Sequence, residues 1–335
     1  VPADVSWAIA HLLADAAPGD LKAAARDLSD RYRAGSGSAL LSDDDALAYV
    51  ATRLPATSGA ARMAMGRVRE LMGDFRPLTQ LDLGAGPGAA AWAAASVWPS
   101  IRGVVLRDRD ERMIRLGEQL AGGSFGGWTW QRHDLRLPFG PADLVTATYV
   151  LGELDGGEAR DIALRAWEAA AGCLLIVEPG TPAGFALIRH LRDHLLGEGA
   201  TLVAPCPNAD ACPIAGDDWC HFAARVTRSA LHRQLKGGEL SYEDERFSYV
   251  AFARSPCVAR AAGRIVRHPS RRRRFVELSV CRGGQIRRIG LGRSHPAYTV
   301  GSKLAWGDAV PESVFQPAPF HQQLSPPPGA VERPT

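Results

Sequence analysis

The sequence predicts an α/β protein built on a parallel sheet covered by helices, and three observations predict it. From Leu81 onward short apolar runs alternate with helical stretches, a glycine-rich turn joins the first run to the first helix, and no sustained repeat interrupts the pattern. The chain has 335 residues, 46% of them hydrophobic, which suffices for one large core or two modest ones and excludes a disordered chain or a fibre. The longest apolar stretches, at 89–97 and 173–177, fall far short of the roughly 18 to 20 residues a membrane helix needs, so no membrane segment is expected. No basic flank followed by an apolar core marks a secretory leader.

The first 75 residues read as helices. Trp7, Ile9, Ala10, Leu12 and Leu13 recur at helical spacing, 44–53 and 60–72 are further amphipathic stretches, and Ser58-Gly59 and Pro77 punctuate them. Strands follow at 81–83, 104–106, 128–131, 144–149 and 173–177, with helices at 89–97, 112–120 and 158–171 between them. After a helix at 185–196 comes a segment bearing Cys and Pro at 204–221, then a helix to about Lys236 and a late strand at 247–253. The last twenty residues, with Pro317, Pro319 and Pro326 to Pro328, predict a flexible tail.

Charge is unevenly spread. Residues 260–303 hold twelve Arg or Lys against one acid, Glu277, a local net charge of +11 that leaves −8 for the remainder of a chain whose total is +3. A basic lobe gains affinity by releasing counterions from phosphates, so this asymmetry points to a polyanion such as a nucleic acid. Four successive arginines, Arg271 to Arg274, cannot share one face of a strand, which predicts a loop that follows a phosphate backbone, with Arg287 and Arg288 as further contacts.

The turn Leu81-Asp82-Leu83-Gly84-Ala85-Gly86-Pro87-Gly88 lies where a strand ends and a helix begins, where glycines let backbone approach a ligand closely. Asp82 precedes the glycines, placed to accept from a ligand amine, Asp108 closes the next strand about twenty residues after the last of them, as suits a ribose diol, and Asp134 follows the third strand, placed to accept from an adenine amino group. This order of acids and glycines resembles that of the class I S-adenosylmethionine methyltransferases. A dinucleotide fold fits less well, because its loop is G-x-G-x-x-G and the third glycine here comes one position early. Neither an Asn-Pro-Pro-Tyr nor an Asp-Pro-Pro-Tyr tetrapeptide is present, and no cysteine stands at the end of the fourth strand to attack a pyrimidine, so catalytic residues are not established. Glu153 is the one candidate base, and a helix N-terminal charge explains it equally.

Of six cysteines, Cys173 begins an apolar strand and reads as a buried small hydrophobe. Cys206, Cys212 and Cys220 form C-x5-C-x7-C, the first two followed by Pro, which predicts a metal site with Cys257, Cys281 or His221 as fourth ligand. Spacing alone leaves zinc and an iron-sulfur cluster open.

Several motifs together resemble the small-ribosomal-subunit assembly methyltransferase-like family, that of methyltransferase-like protein 17 and its bacterial relatives. They are the stretch Ala48 to Thr57, Val150-Leu151-Gly152-Glu153-Leu154, Val177-Glu178-Pro179-Gly180-Thr181-Pro182, the Cys-Pro pairs, Asp218-Trp219-Cys220-His221-Phe222 and Tyr242-Glu243-Asp244-Glu245-Arg246-Phe247-Ser248-Tyr249. The resemblance covers about residues 40–310. It implies a four-iron four-sulfur cluster on Cys206, Cys212, Cys220 and Cys281, the last in a strand before Trp306-Gly307-Asp308, with Cys257 left over. It also implies a small-subunit assembly factor that contacts ribosomal RNA, binds S-adenosylmethionine and is monomeric when free, in the cytoplasm of a bacterium or the mitochondrial matrix of a eukaryote. A working RNA methyltransferase and a cluster-based redox switch are the alternatives. Asp108 stands where this family usually has Glu. The implied organisation is a helical region at 1–75, a methyltransferase-like fold at 76–256 with a Cys-rich insertion at about 200–235, a basic lobe at 257–310 completing the cluster site, and a tail at 311–335.

Overall fold

The computed structural model describes residues 3–14, 17–33, 42–122, 126–255 and 261–316; Cys257 and the expected tail beyond 316 lie outside them. Four helices come first: α1 (Ala3–Leu12), α2 (Pro18–Arg33), α3 (Asp43–Thr52) and α4 (Leu54–Leu71). Ser42 starts α3 by accepting the Asp45 amide at 3.1 Å, and three acids in its first turn complement the helix dipole. Punctuation was expected at Ser58-Gly59, but α4 runs straight through it. Gly59 is there for close packing, since a Cβ would lie 2.5 Å from Val226.

The alternating region gives β1 (Thr79–Leu83), α5 (Ala89–Val97), β2 (Gly103–Asp108), α6 (Glu111–Ala121), β3 (Trp128–Arg132), β4 (Ala142–Thr148), α7 (Gly156–Ala169), β5 (Ala170–Pro179), α8 (Pro182–Gly197), β6 (Thr201–Ala204), β7 (Phe222–Thr227), α9 (Ala230–Lys236) and β8 (Tyr242–Ala253). The strands lie in the order β3-β2-β1-β4-β5-β8-β6; β1 to β5 pair in parallel and β8 runs antiparallel beside β5. That is the strand order of the class I methyltransferase fold. Residues 173–177 of β5 are fully buried on both faces, as a central strand between two helical layers requires. On one side Met65, Trp98 and Tyr249 pack with Leu175; on the other Ile162, Trp167 and Phe252 pack with Leu174.

Residues 222–227 form a strand where the sequence suggested helix. Their burial alternates with period two, so Phe222, Ala224 and Val226 face the core. β6 and β7 lie end to end along the same edge of β8, with Ala204 opposite Ala251 and Phe222 opposite Phe247. The segment between them therefore leaves the sheet and returns within four residues of β8, which keeps its cysteines at that edge.

The basic region folds as a second sheet of β9 (Gly263–Ile265), β10 (Ser270–Arg272), β11 (Phe275–Arg282), β12 (Gln285–Gly292) and β13 (Ala309–Val310), with a short helix α10 (Tyr298–Gly301). Ile265, Val276, Leu278, Val280 and Leu291 form its own small core. The expected four-arginine loop is instead a tight hairpin: Arg271 and Arg272 belong to β10, and Arg273 and Arg274 make the turn, with Arg274 at φ +65°. Pairing of Arg272 with Phe275 leaves only two residues to reverse the chain. Among the described residues no helix is long and apolar enough to cross a membrane.

Candidate functional site: cofactor pocket and cysteine cavity

The glycine turn after β1 opens onto a cavity of about 500 Å³ lined by Gly84, Gly86, Asp108, Met113, Asp134, Thr148, Tyr149 and Glu153, with Tyr49 reaching in from α3. Gly86 has φ +54°, and a Cβ there would meet nothing within 4 Å, so its bareness serves the open space and not protein packing. Gly84 differs: at φ +63°, its Cβ would fall 2.3 Å from Val150. The Gly86 amide donates to Asp108 at 2.7 Å, while Trp130 Nε1 donates to the Gly86 carbonyl at 3.2 Å, so the peptide groups on both sides of this glycine are held.

The three predicted acids occupy three environments. Asp108 lines the cavity; one carboxylate oxygen accepts from Gly86 and the other from the Asp110 amide at 2.9 Å, and burial raises its pKa. Asp134 is exposed at the rim, held by the Arg136 amide and guanidinium, which keep its pKa low. Asp82 does not reach the cavity surface. It is 1% exposed, accepts from Thr146 Oγ1 at 2.7 Å, and keeps Oδ2 buried without a hydrogen-bond partner; burial pushes its pKa up to about 7. Its partner Thr146 stands opposite it on β4, so Asp82 ties β1 to the neighbouring strand within the sheet.

At the end of β4, Tyr149 adopts φ +58° and its hydroxyl donates to Glu245 at 2.8 Å. Glu153 lies in the short turn of helix after it, lines the cavity 3.7 Å from Arg109, and has its pKa raised to about 7 by burial. Buried Glu178 accepts the Leu151 and Gly152 amides at 3.0 and 3.2 Å, and burial lifts it to about 8.

The second cavity lies at the edge of β8, and Cys206, Cys212, Cys220 and Cys281 all line it. Pairing of Cys281 with Arg264 across β11 and β9 puts both on one face of the second sheet, while Val280 and Ile265 enter that sheet's own core. Cys220 lies near enough to the other three thiols for their charge to act on it, and burial pushes Cys206, Cys220 and Cys281 upward, Cys281 to about 12. Two buried arginines back the thiols. Arg192 donates to the Asn208 and Asp210 carbonyls, and Arg264 to the Pro205 and Gly307 carbonyls, yet Arg192 Nε and Arg264 Nη2 are buried without partners. Among the described residues no three His, Cys, Asp or Glu side chains converge as a single-ion site would require. Four thiols and two buried guanidinium groups thus line one common space.

The basic region is less free than its charge suggests. Arg264 is 1% exposed, Arg267 pairs with Asp218, Arg282 pairs with Glu312, and Arg271 donates to the Ser302 and Leu304 carbonyls. Arg272, Arg273 and Arg274 are exposed on the hairpin, and exposed Arg287 and Arg288 alternate to opposite faces of β12. Sequence reasoning missed Tyr49, Tyr149, Arg192 and Arg264 as cavity-lining groups. An arginine inside the apolar run Gly263-Arg264-Ile265-Val266 was the available signal for the last of these.

A family model described as "Mitochondrial small ribosomal subunit Rsm22" matches residues 43–311. The human "Ribosome assembly protein METTL17, mitochondrial" is 30% identical over 297 residues, covering 82% of this chain and 64% of that protein. The "Rsm22-cox11 tandem protein 2, mitochondrial" of Schizosaccharomyces pombe is 25% identical over 329 residues, covering 81% and 44%. The chain thus spans about half to two thirds of the length of these relatives. Among solved structures, magnesium protoporphyrin IX methyltransferase from Synechocystis with bound S-adenosylmethionine superposes with a TM-score of 0.40 at 16% identity, covering 68% of this chain and 90% of that one.

Proposed function

The chain belongs to the Rsm22 family of the mitochondrial small ribosomal subunit, and from that premise we propose that it is a small-subunit assembly factor that binds S-adenosylmethionine, a four-iron four-sulfur cluster and ribosomal RNA. The observation that carries this reading is the gathering of four thiols, three from the segment between β6 and β7 and one from β11, around one cavity, backed by two buried guanidinium groups with unpartnered nitrogens. Cys206, Cys212, Cys220 and Cys281 would hold the cluster, whose negative charge suits Arg192 and Arg264 and whose ligation would tie the second sheet to the first. In the other cavity Asp108 would meet the ribose of S-adenosylmethionine, Asp134 its adenine, and the bare Gly86 its backbone-facing edge. Exposed Arg272, Arg273, Arg274, Arg287 and Arg288 would meet phosphates. Both relatives are named as mitochondrial proteins, which supports the matrix as the place of action in a eukaryotic source.

Sedimentation with immature small subunits tests the reading: protein purified without oxygen should co-sediment with them, and Cys281→Ser should lose metal and bind more weakly. A parent protein that stays at the top of the gradient sinks it. One observation favours a second reading, a working RNA methyltransferase. Glu153 lines the cofactor cavity with its carboxyl raised to about 7, near the range useful to a general base. Transfer of label from S-adenosylmethionine to RNA in immature subunits, lost in Glu153→Gln, would establish it, and no transfer would leave the fold as a binding scaffold.

A further inference from the structure

Beside the cysteine cavity, aromatic rings that do not line it come together at the surface. Trp219 and His221 stack at 5.2 Å and 21°, His221 meets Trp306 edge-on at 4.9 Å, and Trp306 meets His268 at 4.4 Å. Four rings from three separate stretches of chain thus form one row. A row serving only to pack would be buried, but Trp219, His221 and Trp306 are half-buried and His268 is exposed. His221 Nδ1 and Trp306 Nε1 have no hydrogen-bond partner within the protein.

The row links the two regions already described. Tyr149, in the wall of the cofactor cavity, lies 3.4 Å from the Arg246 carbonyl; that carbonyl accepts the Gly180 amide at 2.9 Å, and the Gly180 carbonyl accepts Trp219 Nε1 at 3.0 Å. At the other end, His268 comes two residues before the arginine hairpin that starts at Ser270. Arg246, Arg267 and Asp218 all lie close enough to act electrostatically on the His221 ring, with Arg267 paired to Asp218, so the charges beside the row are mixed and the phosphate contacts fall to the hairpin.

We propose that Trp219, His221, Trp306 and His268 form a stacking platform for unpaired nucleotides of RNA, on a strand whose phosphates reach the arginine hairpin; this rests on the RNA-binding reading above. Rings at a surface accept the π-face of any base, and arginines beside them accept the backbone between bases. A duplex does not suit the row, because paired bases hide their faces in the stack.

The test uses the full chain with its metal, a short dye-labelled single-stranded RNA of mixed sequence, and the duplex made from it. The parent should prefer the single strand. Trp219→Ala and His268→Ala should each weaken that binding, Trp219→Ala by about ten-fold, while leaving the slope of affinity against salt unchanged, because rings and not charges are removed. Trp306→Phe should bind nearly as the parent does. Since Trp219 neighbours Cys220, unchanged visible absorbance and S-adenosylmethionine affinity will show that the variant is intact, and His268→Ala provides the same test from the other sheet. Single-strand binding equal to the parent in both alanine variants, or a parent that prefers duplex, overturns the platform. If the parent co-sediments with small subunits while the alanine variants bind single strands normally, only the platform fails. A parent that neither co-sediments nor binds RNA takes the broader reading with it.

Discussion

In the cofactor pocket the groups that face the cavity follow consecutive strands: the glycine turn after β1, Asp108 at the end of β2, Asp134 after β3, and Tyr149 and Glu153 after β4. In the cysteine cavity they come from distant parts of the chain, three thiols from the segment between β6 and β7 and the fourth from β11 of the second sheet, some sixty residues later. The pocket is held by bonds the protein makes with itself, such as Gly86 to Asp108 and Trp130 to Gly86. The cavity gathers four thiols and two guanidinium groups, some of whose buried nitrogens have no protein partner. The pocket should therefore exist with or without its ligand, whereas the cohesion of the cavity should depend on what fills it.

The sharpest way to break that comparison is to remove one thiol. Cys281→Ser should lower stability by more than about 3 kcal/mol and expose the second sheet to protease, because metal ligation contributes directly to folding free energy. Thermal melting with limited proteolysis reads both effects, and a variant as stable and resistant as the parent would mean that the cavity coheres unaided.

In the pocket, by contrast, a change should cost ligand more than fold. Gly86→Val should reduce S-adenosylmethionine affinity by about 100-fold or more while costing only about 1–2 kcal/mol for a side chain at positive φ. Gly84→Ala should do the reverse, destabilising by about 2–4 kcal/mol through its clash with Val150. Calorimetry showing parent affinity in Gly86→Val would remove the ligand from this pocket.

Glu178 lies between the two regions and gives a pH-dependent effect. Burial raises its folded pKa to about 8 from an ordinary value of 4.5, so the folded state holds this proton more tightly than the unfolded chain. Its contribution to stability is full below about pH 4.5 and is lost as pH rises through about 8. Glu178→Gln should match the parent near pH 5 and exceed it by about 2–4 kcal/mol near pH 8. Denaturant titrations at both pH values check this, and a gain confined to acid would reverse the assignment.

The smallest effect is expected at the hairpin. Replacing Arg272, Arg273 and Arg274 with alanine should reduce the slope of log affinity for small subunits against log salt by about 2–3, with melting temperature and S-adenosylmethionine binding unchanged. Arg271 is left in place because it holds the Ser302 and Leu304 carbonyls. An unchanged slope would move the phosphate contacts elsewhere on the surface.

The contrast between the regions also explains what the sequence could reveal. The alternating strands and helices were legible because their patterns are local, and the helix at 89–97 matches its predicted limits. Helix α2 was covered only by the general helical reading of the first 75 residues and given no limits, because only Leu21, Ala24, Ala25 and Leu28 mark its buried face among many polar residues. Gly59 looked like a stop because its reason for being glycine, Val226, is remote in sequence. Residues 222–227 were merged with the helix that follows them, since the partner strand that gives their alternation meaning is β8. Among the site residues, the glycine turn, Asp108 and Asp134 were visible as a local series. Cys281 was one of three candidates for the fourth ligand and was singled out only by the family resemblance, and Arg264 was counted as surface charge although the fold buries it beside the thiols.

The most direct test of a cavity built around a cluster is iron and acid-labile sulfide analysis of protein purified without oxygen, made in parallel on the parent, Cys281→Ser and Cys173→Ser. A cluster in this cavity gives brown protein with iron and sulfide in equal amounts in the parent and in Cys173→Ser, whose changed residue is buried in β5 away from the cavity, and neither in Cys281→Ser. Zinc without iron in the parent, or iron that survives in Cys281→Ser, would contradict it.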